Sequence, residues 1–223
     1  MDFVEYADRD TAARALAGQV AVALKTQLLE HERVSLAVPG GTTPGPIFDA
    51  LAASDLAWSR VTIMLTDERW VPDDHARSNA GLIRTRLLQG PAAQAQFLPF
   101  FRAGQSAEDA APQLSTELAS CFPLSLLVLG MGADMHTASL FPGADGLHQA
   151  LSPDAPAICA IRAESQPDTR ITLSAPILSG AQEKHAIIFG DDKRRAWQDA
   201  RNLPAQDAPI AAVMDGGTVH WAP

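Results

Sequence analysis

The feature that most constrains this chain is a series of short, near-continuous apolar runs separated by longer stretches of helical spacing. "VSLAV" (34–38), "VTIMLT" (61–66), "LSLLVLG" (124–130), "AICAIR" (157–162) and "HAIIFG" (185–190) do not alternate apolar with polar residues. A strand with that pattern is buried on both faces, which is the habit of parallel sheets covered by helices. The intervening segments supply the helices. Residues 10–32 are rich in Ala and Leu at helical spacing, and "IFDALAA" and "AGLIRTRLL" read the same way, the latter capped by Ser78 or Asn79. "SAEDAAPQLSTELASCF" is mostly helical, with Pro112 in its first turn or kinking it, and "DDKRRAWQDA" is a helix opened by Asp191 or Asp192. The tail "APIAAVMDGGTVHWA" reads as two short strands around an Asp-Gly-Gly turn. The alternation predicts an α/β fold: a single domain, 1–223, with a mostly parallel sheet flanked by helices on both faces.

Composition narrows the partners. Hydrophobic residues make up 47% of the 223 residues, enough for a sizeable core. The formal net charge of −9 argues against nucleic acid or anionic lipid, and it means that an anionic substrate needs a locally basic pocket. Cys121 and Cys159 lack metal-ligand spacing and read as small apolar residues. The acidic start "MDFVEYADRD" lacks a signal-peptide core, and no apolar stretch reaches the ~20 residues of a membrane span. The expectation is a cytoplasmic protein with no membrane partner, and a monomer.

In parallel α/β sheets, ligands bind beyond the carboxyl ends of the strands. The polar loops 39–46, 67–79, 130–143 and 190–194 all follow strands and could converge on one crevice. "GGTTPG" supplies Gly40, Gly41, Thr42 and Thr43 ahead of a helix, which suits either a phosphate cradle or an ordinary capped turn. In "TDERWVPDDHARSN", Asp67 directly follows an apolar run and should project into the crevice. Arg69 and Arg77 are candidate anion clamps, while Asp73, Asp74 and His75 read as a solvated surface.

"GMGADMHTASLFPG" (130–143) places Asp134 and His136 two residues apart among glycines. If that stretch is extended, the two side chains share a side, and the carboxylate can orient an imidazole that takes a proton near neutral pH. A hydrogen-bonded loop pair without chemistry is the competing reading. The remaining histidines are scattered, so a metal site is unsupported, and no Gly-x-Ser-x-Gly elbow supplies a serine nucleophile. Arg170 precedes an apolar run. Lys193 sits in the first turn of a helix, where the dipole disfavours cations unless an anion is near, whereas Arg194 and Arg195 read as surface.

Taken in order, "PGGTTP", "TDERWVP…RSN", "LVLGMGADMHTASLFPG", "TRITLS" and "GDDK" resemble the 6-phosphogluconolactonases, a group within a superfamily that includes the glucosamine-6-phosphate deaminases. The resemblance spans nearly the whole chain. It implies hydrolysis of 6-phospho-D-glucono-1,5-lactone in the oxidative pentose phosphate pathway, with no organic cofactor and no required metal. It also implies His136 as general base held by Asp134, with residues 40–44, Arg77, Arg170 and Lys193 on the phosphate or ring hydroxyls. Met135 stands where the family usually has glycine, and Pro39 where it often has serine. If that glycine supplies a positive φ, methionine is strained there. Two alternatives stay open: a deaminase-isomerase, whose branch carries a glutamate shortly after the histidine where this chain has Phe141, and a sugar-phosphate sensor without turnover.

Overall fold

A computed structural model describes residues 2–223. Ten strands and eight α-helices follow in chain order: β1 Asp2–Glu5, α1 Arg9–Glu30, β2 Val34–Val38, α2 Gly45–Ala52, β3 Val61–Leu65, β4 Asp67–Arg69, α3 Asn79–Arg86, β5 Gln96–Leu98, α4 Ala107–Glu117, β6 Leu126–Gly130, α5 Leu147–Leu151, β7 Ile158–Ile161, β8 Arg170–Leu173, α6 Ala175–Ser179, β9 Glu183–Phe189, α7 Asp191–Ala200, α8 Pro209–Val213 and β10 Thr218–Ala222. A seven-stranded sheet has the order β1-β10-β9-β6-β2-β3-β5, and every neighbouring pair in it is parallel. Every residue of β2 and β3 is buried, as their unbroken apolar runs require. Helix α1 packs with α2, β2, β6 and β10, and α8 packs with α6 and α7.

The strand order explains where a site can form. From β2 the chain works outward through β3 to β5. It then returns to β6 on the other side of β2 and works outward again through β9 to β10. β2 and β6 therefore diverge at a switch point, and the loops leaving their carboxyl ends part to open a crevice.

Two features depart from the sequence reading. "AICAIR" does not join the parallel sheet, and neither does "TRITL", read from the sequence only as an apolar run after Arg170. As β7 and β8 they form a separate antiparallel sheet of order β4-β8-β7, with a strand made of Asp67, Glu68 and Arg69. The tail is a helix and a strand rather than two strands. "PIAAV" becomes α8, because a short apolar run led by Pro suits a helix's first turn as well as a strand. The Asp-Gly-Gly turn is real, with Gly216 at φ +72°, but it joins α8 to β10. Helix α7 opens at Asp191 as read, directly after Gly190 at its N-cap, and Pro112 lies inside α4 beyond the first turn. Among the described residues, no helix is long and apolar enough to cross a membrane.

Candidate active site

The crevice at the switch point encloses about 330 Å³, within the range of small-molecule sites. Its walls come from the β2–α2 loop, from β4, from the loop after β6, from the strand β8 and from the first turn of α7. The loops expected to converge do so.

The first wall is Gly40, Gly41, Thr42 and Thr43. Gly41 adopts φ +86°, open to glycine without strain. Gly40 is needed for another reason: a Cβ there would stand 1.8 Å from Asn79 Oδ1. Among the described residues, the amides of Gly41, Thr42 and Thr43 donate to no backbone acceptor, and they lie just ahead of α2. Free amides before a helix form a place for an anion.

The second wall comes from the small sheet. Its register sets Arg69 directly opposite Arg170. Like charges facing each other across a ladder are destabilising, and this pair lines the crevice. Nε of each guanidinium is buried and has no hydrogen-bond partner. Asp67 stands beside them, with its Oδ2 3.9 Å from Arg170 Nη1. Gln166 Oε1 accepts from Arg170 Nη2. Burial lowers the Arg170 pKa, with the Asp67 carboxylate opposing that shift. Two unpartnered donors and a surplus of positive charge are what a bound anion would satisfy.

Alternation along β4 sends Glu68 away from its neighbours and under α3. Its fully buried carboxylate accepts from the backbone N–H groups of Arg69, Asn79 and Ala80 at 2.7–2.8 Å and from the Ser78 hydroxyl at 3.2 Å. Burial pushes its pKa up to about 7, against the pull of these donors. With α3 fixed this way, Asn79 Nδ2 donates to the Asp67 carbonyl at 2.8 Å and its side chain covers Gly40.

The third wall carries the imidazole. His136 Nδ1 lies 2.5 Å from Asp134 Oδ1. They do not meet by extended alternation: Met135 between them has φ +65°, so a left-handed turn folds one side chain onto the other. The positive φ expected of the family's glycine is thus held by methionine. A Cβ on Gly132 would come within 2.2 Å of His136 Nδ1, so glycine there lets the pair pack. Gly132 N donates to His136 O at 3.0 Å, and Ile210 N, in α8, donates to Met135 O at 3.3 Å. The Phe141 ring packs on the imidazole at 4.3 Å between centroids, with the Arg170 guanidinium on it at 5.6 Å. The hydrogen bond to His136 holds the Asp134 carboxyl below the usual carboxylate range. With Nδ1–H donated to Asp134, Nε2 keeps its lone pair for a proton.

Lys193 closes the fourth side. Burial lowers its pKa, and the Asp134 carboxylate opposes that shift. Its neighbours serve elsewhere: Arg194 pairs with Glu5 at 2.5 Å and lies over the Trp221 ring, and Arg195 pairs with Asp192.

Residues 7–221 match the family described as Glucosamine-6-phosphate isomerases/6-phosphogluconolactonase. The chain belongs to this family. A 6-phosphogluconolactonase of Pseudomonas aeruginosa is 41% identical over 95% of this chain and 90% of its own length. One from Mesorhizobium japonicum is 42% identical over 98% of this chain and 94% of its own length. A crystal structure of a 6-phosphogluconolactonase from Shewanella baltica superposes with a TM-score of 0.95 at 32% identity, covering 100% of this chain and 98% of that one. A monomeric glucosamine-6-phosphate deaminase shares the fold, with a TM-score of 0.81 at 16% identity over 100% of this chain and 97% of that one.

Within this family member, the sequence-derived residues are placed unequally. Gly40, Gly41, Thr42, Thr43, Asp67, His136, Arg170 and Lys193 line the crevice. Asp134 stands behind His136 rather than in the wall. Arg77 is not among the lining residues: Asp168 holds its guanidinium at 2.8 Å, and its carbonyl accepts from Arg69 Nη1 at 2.6 Å. Of the two candidate clamps in that loop, Arg69 is the one that faces the crevice. Asn79, Phe141 and Gln166 also line it without having been singled out as binding residues. Asn79 had a sequence signal, since it follows the Ser78 cap of α3; Gln166 had none. Asp73 pairs with Arg84 at 3.2 Å, and Asp74 and His75 are exposed. Among the described residues, no group of three or more His, Cys, Asp or Glu is placed to hold a metal ion.

Proposed function

We propose that the protein hydrolyses 6-phospho-D-glucono-1,5-lactone to 6-phospho-D-gluconate, with residues 1–223 acting as one catalytic domain. The observation that carries the reading is the placing of an Asp134-bound imidazole in the same crevice as the facing guanidiniums of Arg69 and Arg170. The membership of the family and the names of its near relatives agree with it.

In this reading, water attacks the lactone carbonyl carbon. His136 Nε2 accepts the proton as the C–O bond forms, and Asp134 stabilises the resulting imidazolium and fixes its tautomer. Collapse of the tetrahedral adduct expels the ring oxygen, which His136 can protonate. A general base contributes about 10²- to 10⁴-fold, or about 3–5.5 kcal/mol of the barrier. Arg69, Arg170, Lys193 and the amides of Gly41–Thr43 hold the phosphate and ring hydroxyls, which converts phosphate affinity into orientation at the distant carbonyl. No step calls for a metal or an organic cofactor.

A deaminase-isomerase needs a further acid-base group shortly after His136. Phe141 fills that space and packs on the imidazole instead. The substrate carries a phosphate ester, which does not cross a bilayer unaided, so the reading carries a cytoplasmic location with it. The test is an initial-rate assay on freshly made lactone, against the spontaneous rate, with glucosamine 6-phosphate as a parallel substrate. Acceleration of lactone loss alone supports the reading. A rate equal to background, or ammonia release from the amino sugar, refutes it.

A further inference from the structure

We propose that Asp67 is a positioning residue: its buried bond to Ser139 pins the strained loop that carries His136 and holds that loop in register with Arg170. The proton taken from water does not pass through Asp67. The catalytic part of this inference rests on the lactonase reading above.

The loop is strained at two positions. Met135 at φ +65° and Ala138 at φ +49° flank His136, both in the left-handed region and neither a glycine. Such a conformation costs about 1–2 kcal/mol per residue. It persists only where surrounding contacts over-determine it. The residues after His136 show what those contacts are. Leu140 N donates to Thr137 O at 2.9 Å, closing a tight turn around Ala138. Thr137 Oγ1 donates back to Gly130 O at 2.8 Å. Ser139, fully buried, donates its hydroxyl to Asp67 Oδ2 at 2.6 Å, and its amide donates to Thr172 Oγ1 at 3.3 Å. The first two bonds are local to the loop and to β6. The bonds of Ser139 reach a different sheet.

The chemistry of Asp67 fits a strut better than a base. Oδ2 accepts from Ser139, and Oδ1 accepts from Thr66 Oγ1 at 3.1 Å. Arg170 Nη1 stands 3.9 Å from Oδ2, and the residue is 6% exposed. Both oxygens are therefore committed to protein donors. A carboxylate held this way also offsets the Arg69–Arg170 repulsion. One side chain thus fixes the base-bearing loop and the anion-facing guanidinium relative to each other. That distance decides whether a substrate held at its phosphate presents its carbonyl to His136.

The experiment compares Ser139→Ala, Asp67→Ala, the double variant and Asp67→Asn. The assay is fresh-lactone hydrolysis, with kcat and KM separated. An asparagine oxygen can still accept from Ser139, and its amide can turn to Thr66 Oγ1, so Asn keeps the strut and removes the basic oxygen pair. Ser139→Ala and Asp67→Ala are each expected to lower kcat by about tenfold or more, and the double variant no further than the worse single. Asp67→Asn is expected to recover about tenfold over Asp67→Ala. A proton-carrying Asp67 gives the opposite: Asn as poor as Ala, with Ser139→Ala near wild type. Either result overturns the proposal.

Hydrogen exchange over residues 131–141 is read in parallel and needs no substrate. Ser139→Ala should speed exchange of that segment by about tenfold, and Asp67→Asn should not. Unchanged exchange in Ser139→Ala overturns the strut even if the enzyme proves active. A wild-type protein inactive on lactone sinks the lactonase reading while this measurement still decides the strut. If Ser139→Ala does not fold, Ser139→Cys, which keeps the shape and weakens the donor, takes its place.

Discussion

Replacing Asp134 by asparagine isolates one contribution to the proposed reaction. The amide oxygen can still accept from His136 Nδ1, so the ring keeps its tautomer, and Asp134 lies outside the crevice wall, so substrate contacts stay. What disappears is the negative charge beside an imidazole that becomes cationic in the transition state. At the observed 2.5 Å, Coulomb's law gives about 1.7 kcal/mol at the dielectric of water and about 6.6 kcal/mol at an effective dielectric of about 20. The Asp134 side chain is 56% exposed, so screening favours the lower figure. The working value is about 2 kcal/mol, or about 30-fold in kcat. Steady-state kinetics on fresh lactone should therefore show kcat falling by about that factor with KM changed by less than about threefold. An unchanged kcat, or a loss confined to KM, would refute the charge-stabilisation argument.

Other outcomes follow from the same geometry. Lys193→Ala and Arg170→Ala should raise KM by about tenfold or more, the size of a lost charge-assisted bond, with a smaller effect on kcat; unchanged KM in both removes them from the anion site. Met135→Val should lower both thermal stability and kcat, because a β-branched residue tolerates φ +65° poorly, whereas Met135→Gly should stay within about 1 kcal/mol of wild type in urea titration. His220 is fully buried between Tyr6 and His185, and burial lowers its pKa from 6.5 to about 4. The unfolded state then takes up a proton that the native state refuses. The contribution of His220 is complete above pH 6.5 and falls as pH drops toward 4, by up to about 3 kcal/mol. Urea midpoints across that window should fall with pH in wild type and fall less steeply in His220→Gln.

What the sequence made legible followed from burial. β2, β3, β6 and β9 are apolar runs that announce themselves, and the loops behind β2 and β6 inherit their place from them. Strands without such runs were silent. β1 and β5 are short edge strands with exposed residues, and an edge need not be apolar. β4 is Asp-Glu-Arg, readable only as a charged loop until its partner β8, about a hundred residues later, is in place. That pairing created the small sheet and set Arg69 against Arg170. The choice between Arg69 and Arg77 likewise hung on a distant residue, Asp168, which no local pattern reveals. Asp134 and His136 were legible as a pair, but the left-handed turn that joins them was visible only as a question about Met135. Ser139 sat in plain view, and its partner Asp67 lies 72 positions away.

The central claim is that one imidazole takes the proton from water in a crevice that grips the phosphate elsewhere. The most direct test is the initial rate of fresh phosphogluconolactone hydrolysis by purified wild type and His136→Ala, each corrected for spontaneous hydrolysis. The account predicts that His136→Ala loses about a hundredfold or more in kcat while KM stays within a few-fold. Equal rates in the two proteins would contradict it.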